Sequence, residues 1–150
     1  MKLIGYFRSS AAFRVRIALN LKGLAYDNAF IHLRKGDQKS AAYLGLNPQA
    51  LVPTLEEEDG FTLWESNSIV RYLAAKHRHA LEPADPKVRA HAQKWMDWQL
   101  SVMAPAITPV FWQMIRTPAD KRDMAAVAAG KEKTIAAAKI MDEQLSKTRY

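Results

Sequence analysis

The sequence predicts two structural classes in series, an α/β unit of order β-α-β-α-β-β-α and an all-helical part behind it. Three observations carry this prediction. Short β-rich apolar runs alternate with helix-period segments up to about residue 79 and then cease. Two β-rich runs meet around Asp59-Gly60, the chemistry of a tight hairpin, so the sheet is mixed and not purely parallel. The stretch ALEPADP, Ala80 to Pro86, sets two prolines among small residues, and no strand pattern recurs after it. The expected division is therefore 1–79, a linker at 80–86, and 87–150.

Each element has its own warrant. KLIGYF is a short apolar strand. In AAFRVRIALNLKG, Phe13, Ile17 and Leu21 recur at helical spacing, and Gly23 supplies the C-terminal stop. Tyr26 to Leu33 reads as a second strand, and RKGDQKS leads into a short helical or irregular piece ending at Asn47-Pro48. VPTLEEEDGFTLWE supplies the hairpin. SNSIVRYLAAKH is a helix with Ser66 expected as its N-cap and with Ile69, Val70 and Leu73 on its buried face. Beyond the linker, one long helix is expected from about Lys87 past Trp95, Trp98 and Met103 to Trp112, kinked by Pro105 and Pro109. A second is expected from roughly Ala119 to Lys147, with Ile135, Ala138, Met141 and Leu145 as its apolar stripe.

Composition narrows the chemistry. With 150 residues, 49% of them hydrophobic, the chain can bury a core, and no apolar run is long enough to span a membrane or serve as a secretory signal. A cytoplasmic location is the default expectation. The absence of cysteine removes disulfides, thiolate metal sites and a cysteine nucleophile together, so thiol chemistry would have to come from a ligand. The net charge of +7 raises the question of nucleic acid. Its cations are scattered over Arg14, Arg16, Arg34, Lys35, Lys76, Arg78, Lys131 and Lys133 with no basic run, which suits an anionic small ligand as well and argues against nucleic-acid binding. His32, His77, His79 and His91 lack the i, i+4 spacing of a helical metal site, and the six glycines form no phosphate-binding loop.

The order of elements, with RSS before the first helix, VPTL opening a strand, ESNSI opening a helix and an all-helical second part, resembles the glutathione transferase superfamily over nearly the whole chain. RSSAAFRVRIALNLKG is similar to the zeta class, which includes maleylacetoacetate isomerases. LWESNSIVRYLAAKH is closer to general bacterial transferases. The resemblance implies a thioredoxin-like N-terminal domain, glutathione as co-substrate, a small electrophilic second substrate and a homodimer, with neither nucleic acid nor membrane as partner. Ala11 stands where the zeta class commonly has a cysteine, which weakens an isomerase reading more than a transferase reading.

The resemblance also assigns residues, and each assignment has an ordinary structural competitor. Ser9 maps to the catalytic serine, with Ser10 as neighbouring donor. A helix N-terminus and a hydroxyl both favour a thiolate, although a serine in that place is equally an N-cap. Val52 and Pro53 correspond to a cis-proline turn whose backbone pairs with the cysteinyl part of glutathione; the competitor is a proline opening an edge strand. Glu65 and Ser66 match the motif that holds the γ-glutamyl end, the carboxylate for the ammonium and the helix start for the α-carboxylate, against a surface acid ahead of a capped helix. Gln38 aligns with a glutamine near the glycyl end. Met103, Ile107, Phe111 and Trp112 would wall the second substrate, or would be core. Relatives continue past a segment like DEQLSKTRY, so the helical part is expected to be short at its C-terminal end, with its apolar stripe uncovered. Three activities remain open here: a transferase, a glutathione-dependent maleyl-type cis-trans isomerase, and a non-catalytic protein-binding module.

Overall fold

A computed structural model describes residues 1–77 and 81–148. It divides into two compact units, Met1–Asp85 and Pro86–Tyr150. The expected boundary at residue 79, the first residue of the linker and the last residue of the chain lie outside the described residues.

In the first unit, β1 (Lys2–Gly5) leads through a turn to α1 (Ser10–Leu21), β2 (Asp27–Phe30), two 3-10 turns (Leu33–Lys35 and Asp37–Lys39) and α2 (Ala41–Leu46). The hairpin strands β3 (Thr54–Glu56) and β4 (Thr62–Trp64) follow, and then α3 (Ser66–Lys76). The sheet order is β2-β1-β3-β4. β1 pairs parallel with β2 across the α1 crossover, while β3 runs antiparallel to both β1 and β4. This is the thioredoxin-like arrangement. Between β3 and β4 the chain turns through Glu58, Asp59 and Gly60. The Gly60 N–H donates to the Glu57 carbonyl at 3.1 Å, the Glu57 N–H donates to the Phe61 carbonyl at 2.9 Å, and Gly60 takes φ +86°. The turn is thus a three-residue loop closed by a left-handed glycine, wider than a two-residue hairpin.

The core forms where β1, β3, α1 and α3 meet, with Leu3, Val15, Leu19, Leu55, Ile69 and Leu73 fully buried. The face that α1 buries is settled here, and one expectation, the cap of α3, needs correction. Phe13, Ile17 and Leu21 share a face of α1, but it is the outer one; the helix packs through Ala12, Val15, Ala18 and Leu19. The reason is clearance: a Cβ on Gly5 of β1 would lie 3.1 Å from the Ala12 Cβ, so this contact admits small residues where phenylalanine would not fit. Ser66 is not the N-cap of α3. It is the first helical residue, and Glu65 occupies the cap position.

In the second unit, α4 (Pro86–Trp98), a π turn (Gln99–Met103), α5 (Ala104–Phe111) and a second π turn (Trp112–Arg116) run end to end. Pro105 and Pro109 lack the N–H that would bond one turn back, and two widened turns flank the segment that holds them. A 3-10 turn (Ala119–Lys121) precedes α6 (Met124–Leu145), which begins later than expected because Asp123 caps it, its Oδ1 accepting the Ala126 N–H at 2.9 Å. α6 meets α5 through small residues. Ala106, Gly130 and Ala137 are buried, and a Cβ on Gly130 would sit 2.8 Å from Val110 Cγ2 and 3.2 Å from the Ala106 carbonyl oxygen. Of the expected stripe, Ile135, Met141 and Leu145 are exposed. No helix among the described residues is long and apolar enough to cross a membrane.

Candidate functional site

Strand register gathers the candidate residues at one end of the sheet. Ile4 pairs with Thr54, Thr54 pairs with Trp64, and Gly5 pairs with Phe30. The chain therefore leaves β1 toward Ser9, leaves β2 toward Gln38, enters β3 from Val52-Pro53 and leaves β4 toward Glu65 and Ser66, all at that same end. Residues up to 57 positions apart in sequence are brought there by topology alone.

Ser9 is the N-cap of α1. Its Oγ accepts the Ala12 N–H at 3.2 Å, and its own N–H donates to the Tyr6 carbonyl at 2.9 Å. The cap and the anion-holding reading are compatible, because accepting from Ala12 leaves the hydroxyl proton to be donated outward. Ser10, the first residue of the helix, is exposed. No acidic side chain stands in the first turn of α1 to offset the helix dipole.

The turn before β3 is held by a buried polar network that the sequence did not disclose. The Tyr43 hydroxyl donates to the Leu51 carbonyl at 2.5 Å and meets Thr54 Oγ1 at 2.9 Å. Asn47 Nδ2 donates to the same Leu51 carbonyl at 2.9 Å and to Thr54 Oγ1 at 3.3 Å, while its Oδ1 accepts the Gln49 N–H at 3.0 Å. Burial raises the Tyr43 hydroxyl above its ordinary pKa, partly opposed by its bonds to Thr54 and Asn47, so it stays protonated and donating. Clamped this way, the chain passes through Ala50 at φ +55° to a cis Val52–Pro53 peptide. No turn or loop hydrogen bond among the described residues engages the Val52 N–H or C=O.

At the start of α3, Glu65 is exposed with φ +71°, a conformation costly for a residue with a side chain. Its carbonyl accepts the Ile69 N–H at 2.9 Å, closing the first helical turn behind it. Ser66 and Asn67 are buried, and both are reached from α1. Arg14 Nη1 donates to Ser66 Oγ at 2.9 Å and to Asn67 Oδ1 at 2.6 Å. Arg14 and Asn67 are functional candidates that the motif reading missed. The signal was present, since Arg14 is a charge set between the core positions Ala12 and Val15. Gln38 sits in the second 3-10 turn, with a buried Oε1 that has no hydrogen-bond partner.

The four residues expected to wall a second substrate do not act as one surface. Met103 is half-buried and lines a groove of about 530 Å³ within the helical unit, together with Trp95, Trp98, Met141 and Leu145. Ile107, Phe111 and Trp112 are exposed, line no part of that groove, and are not core.

Residues 8–76 match the family model for the glutathione S-transferase N-terminal domain. The chain is 35% identical over 150 residues to glutathione S-transferase GstB of Escherichia coli, spanning 99% of this chain and 72% of that protein. It belongs to the glutathione S-transferase superfamily. The maleylacetoacetate isomerase of Pseudomonas aeruginosa is 44% identical over 93 residues, which cover 60% of this chain and 44% of the isomerase. Among solved structures, the theta class glutathione S-transferase of Xanthomonas axonopodis pv. citri, with glutathione bound, superposes with a TM-score of 0.89 at 36% identity, covering 97% of this chain and 70% of that one. The superfamily assignment thus spans both units, whereas the zeta-like relation is strongest over part of the chain.

Proposed function

We propose that this chain is a glutathione transferase that uses Ser9 to stabilise the glutathione thiolate for attack on a small electrophile. The observation that carries the reading is the strand register, which turns the Ser9, Val52 and Glu65–Ser66 segments toward one end of the sheet. In this reading the tripeptide lies across that end. Its cysteinyl backbone pairs with the Val52 N–H and C=O, a one-residue case of strand addition. The γ-glutamyl ammonium meets the Glu65 carboxylate, and its α-carboxylate meets the Ser66 hydroxyl at the positive end of the α3 dipole. Gln38 turns its amide toward the glycyl end.

The thiol then lies at the start of α1. A free thiol has a pKa of about 8.5, and a hydroxyl donor plus the helix N-terminus lowers it, raising the fraction present as nucleophile. The thiolate forms a carbon–sulfur bond to the electrophile as a leaving group departs, or as an activated double bond takes up a proton, and the thiol proton passes to solvent. Ile107, Phe111 and Trp112 are available as apolar contacts for that second substrate. We infer a homodimer in the cytoplasm, the former supported by the large apolar side chains exposed on the helical unit.

Calorimetric titration with glutathione tests the reading. Binding at or below millimolar concentration is expected, and no binding at millimolar glutathione would favour a non-catalytic module. Isomerisation is the second reading, favoured by the 44% identity to the Pseudomonas aeruginosa isomerase and opposed by Ala11. Parallel assays with a generic electrophile and a maleyl diacid separate the two; efficient isomerisation with negligible conjugation would reverse the order.

A further inference from the structure

The bond from Arg14 to Ser66 fixes more than a helix pair. A guanidinium has donors and no acceptor, so in the 2.9 Å contact the Ser66 Oγ must accept. A serine hydroxyl that accepts from one side still has one proton, and that proton has to point elsewhere. The same Nη1 donates to Asn67 Oδ1 at 2.6 Å, so the Asn67 amide is oriented from the same side. Arg14 stands on α1, the helix that Ser9 caps, and its two partners open α3. One cation therefore ties the two helix starts together, and burial draws the pKa of its guanidinium down from the ordinary value.

We propose that Arg14 is a positioning residue for carboxylate recognition: by donating to Ser66 Oγ, it commits the Ser66 hydroxyl proton to the α-carboxylate of the γ-glutamyl group. The proposal rests on the reading of Ser66 given above. Without Arg14 the hydroxyl is free to rotate and can turn its lone pairs toward the anion. Two predictions separate this role from simple support of the fold. The loss must be specific to a ligand that carries the carboxylate, and it must run through Ser66.

The test is calorimetric affinity for glutathione and for 4-aminobutyryl-cysteinyl-glycine, the same tripeptide without the α-carboxylate. The parent should prefer glutathione. Equal binding of the two, or binding of neither, would overturn the underlying reading of Ser66. In Arg14→Met the preference should fall roughly tenfold, the scale of one hydrogen bond to a charged group, while affinity for the analogue stays near that of the parent. An equal loss for both ligands would assign Arg14 to structure alone and overturn the proposal, as would an unchanged preference. In a Ser66→Ala background, adding Arg14→Met should cost the preference nothing further; a second full loss there would show that Arg14 acts without Ser66. Arg14→Gln, too short to span both partners, carries the same expectations if Arg14→Met does not fold.

Discussion

In the first unit, six aliphatic side chains from two strands and two helices are removed from solvent, and Ser9, Val52 and Ser66 stand at the ends of elements that this core fixes. In the helical unit, α5 and α6 close over Ala106, Gly130 and Ala137, and leucine, isoleucine and methionine side chains stay outside. One unit is stabilised by buried area, the other by backbone proximity. The difference suits the proposed division of labour. A site for an invariant tripeptide gains from a frame that does not move, whereas a surface that meets varied electrophiles gains from apolar side chains that are not locked in a core.

The same substitution in each unit breaks the comparison most directly. Leu73 is 0% exposed and Leu145 is 50% exposed. Leu73→Ala should cost about 2–5 kcal/mol in urea denaturation, the range for a cavity left by a buried leucine. Leu145→Ala should stay within about 0.5 kcal/mol. Comparable losses would mean that the helical stripe is covered in solution, by a second copy or otherwise.

Next in size is Gly130→Val. The Cβ alone would meet Val110 Cγ2 at 2.8 Å and a backbone oxygen at 3.2 Å, and the branched methyls add to that crowding. Overpacking of this kind costs about 1–3 kcal/mol. Hydrogen exchange should show protection lost in α5 and α6 and retained in β1 and β3. Uniform loss through both units would show that they unfold as one.

Ser9→Ala probes what the rigid unit is for. Turnover should fall roughly tenfold or more while glutathione affinity changes little, since the hydroxyl matters most to the charged sulfur. The thiol pKa of bound glutathione should rise toward its free value; an unchanged pKa would remove Ser9 from the mechanism. Ser10→Ala is the control, and a larger effect there would move the role by one residue. Tyr43→Phe is gentler. It deletes the donor to the Leu51 carbonyl, which keeps its bond from Asn47, so about 1 kcal/mol of stability should go, with weaker glutathione binding because the Val52 turn is less firmly held.

Much of the first unit could be read from the sequence because its signals are local: a β-rich run, a helical period, Asp59-Gly60 before a strand. The residues at the Val52 turn were legible by motif, but the clamp formed by Tyr43, Asn47 and Thr54 was not, because it joins a helix, a loop and a strand through side chains with no shared pattern. Arg14 escaped because its place between Ala12 and Val15 marks it as inward-facing only once that face of α1 is known to be the buried one. On α1 periodicity leaves the buried face open, as Phe13, Ile17 and Leu21 repeat as cleanly as Ala12, Val15 and Leu19; the series that goes inside is the one whose Ala12 meets Gly5 and whose Val15 and Leu19 join the core. In the second unit, periodicity pointed to large side chains where the helices meet through alanine and glycine. Hydrophobic pattern reports what would gain from burial, and backbone spacing decides what is buried.

The smallest effect concerns how the hairpin is fastened to the core. Glu57, just after β3, is held below its ordinary carboxylate pKa chiefly by the hydrogen bond from Lys76 Nζ, with burial opposing and the Tyr72 hydroxyl, 3.0 Å from Oε1, assisting. Lys76, the last residue of α3, is held above its ordinary value by the same partner. A depressed carboxylate stabilises the fold above its unfolded-state pKa and stops doing so as pH falls through the lower folded value. A raised lysine stabilises below its unfolded-state pKa and stops as pH rises through the higher folded value. The contribution is therefore present from mildly acidic to mildly alkaline pH and lost at both extremes. Because the Lys76 side chain is open to solvent, the effect should be small and should shrink further with added salt. Glu57→Gln should lower Tm slightly near pH 7, with the difference from the parent shrinking as pH is taken below the ordinary carboxylate range and the parent carboxylate protonates. Glutamine can still accept from Tyr72, so a Tm difference that stays flat over that fall in pH would assign the loss to the geometry of the turn and not to the ion pair.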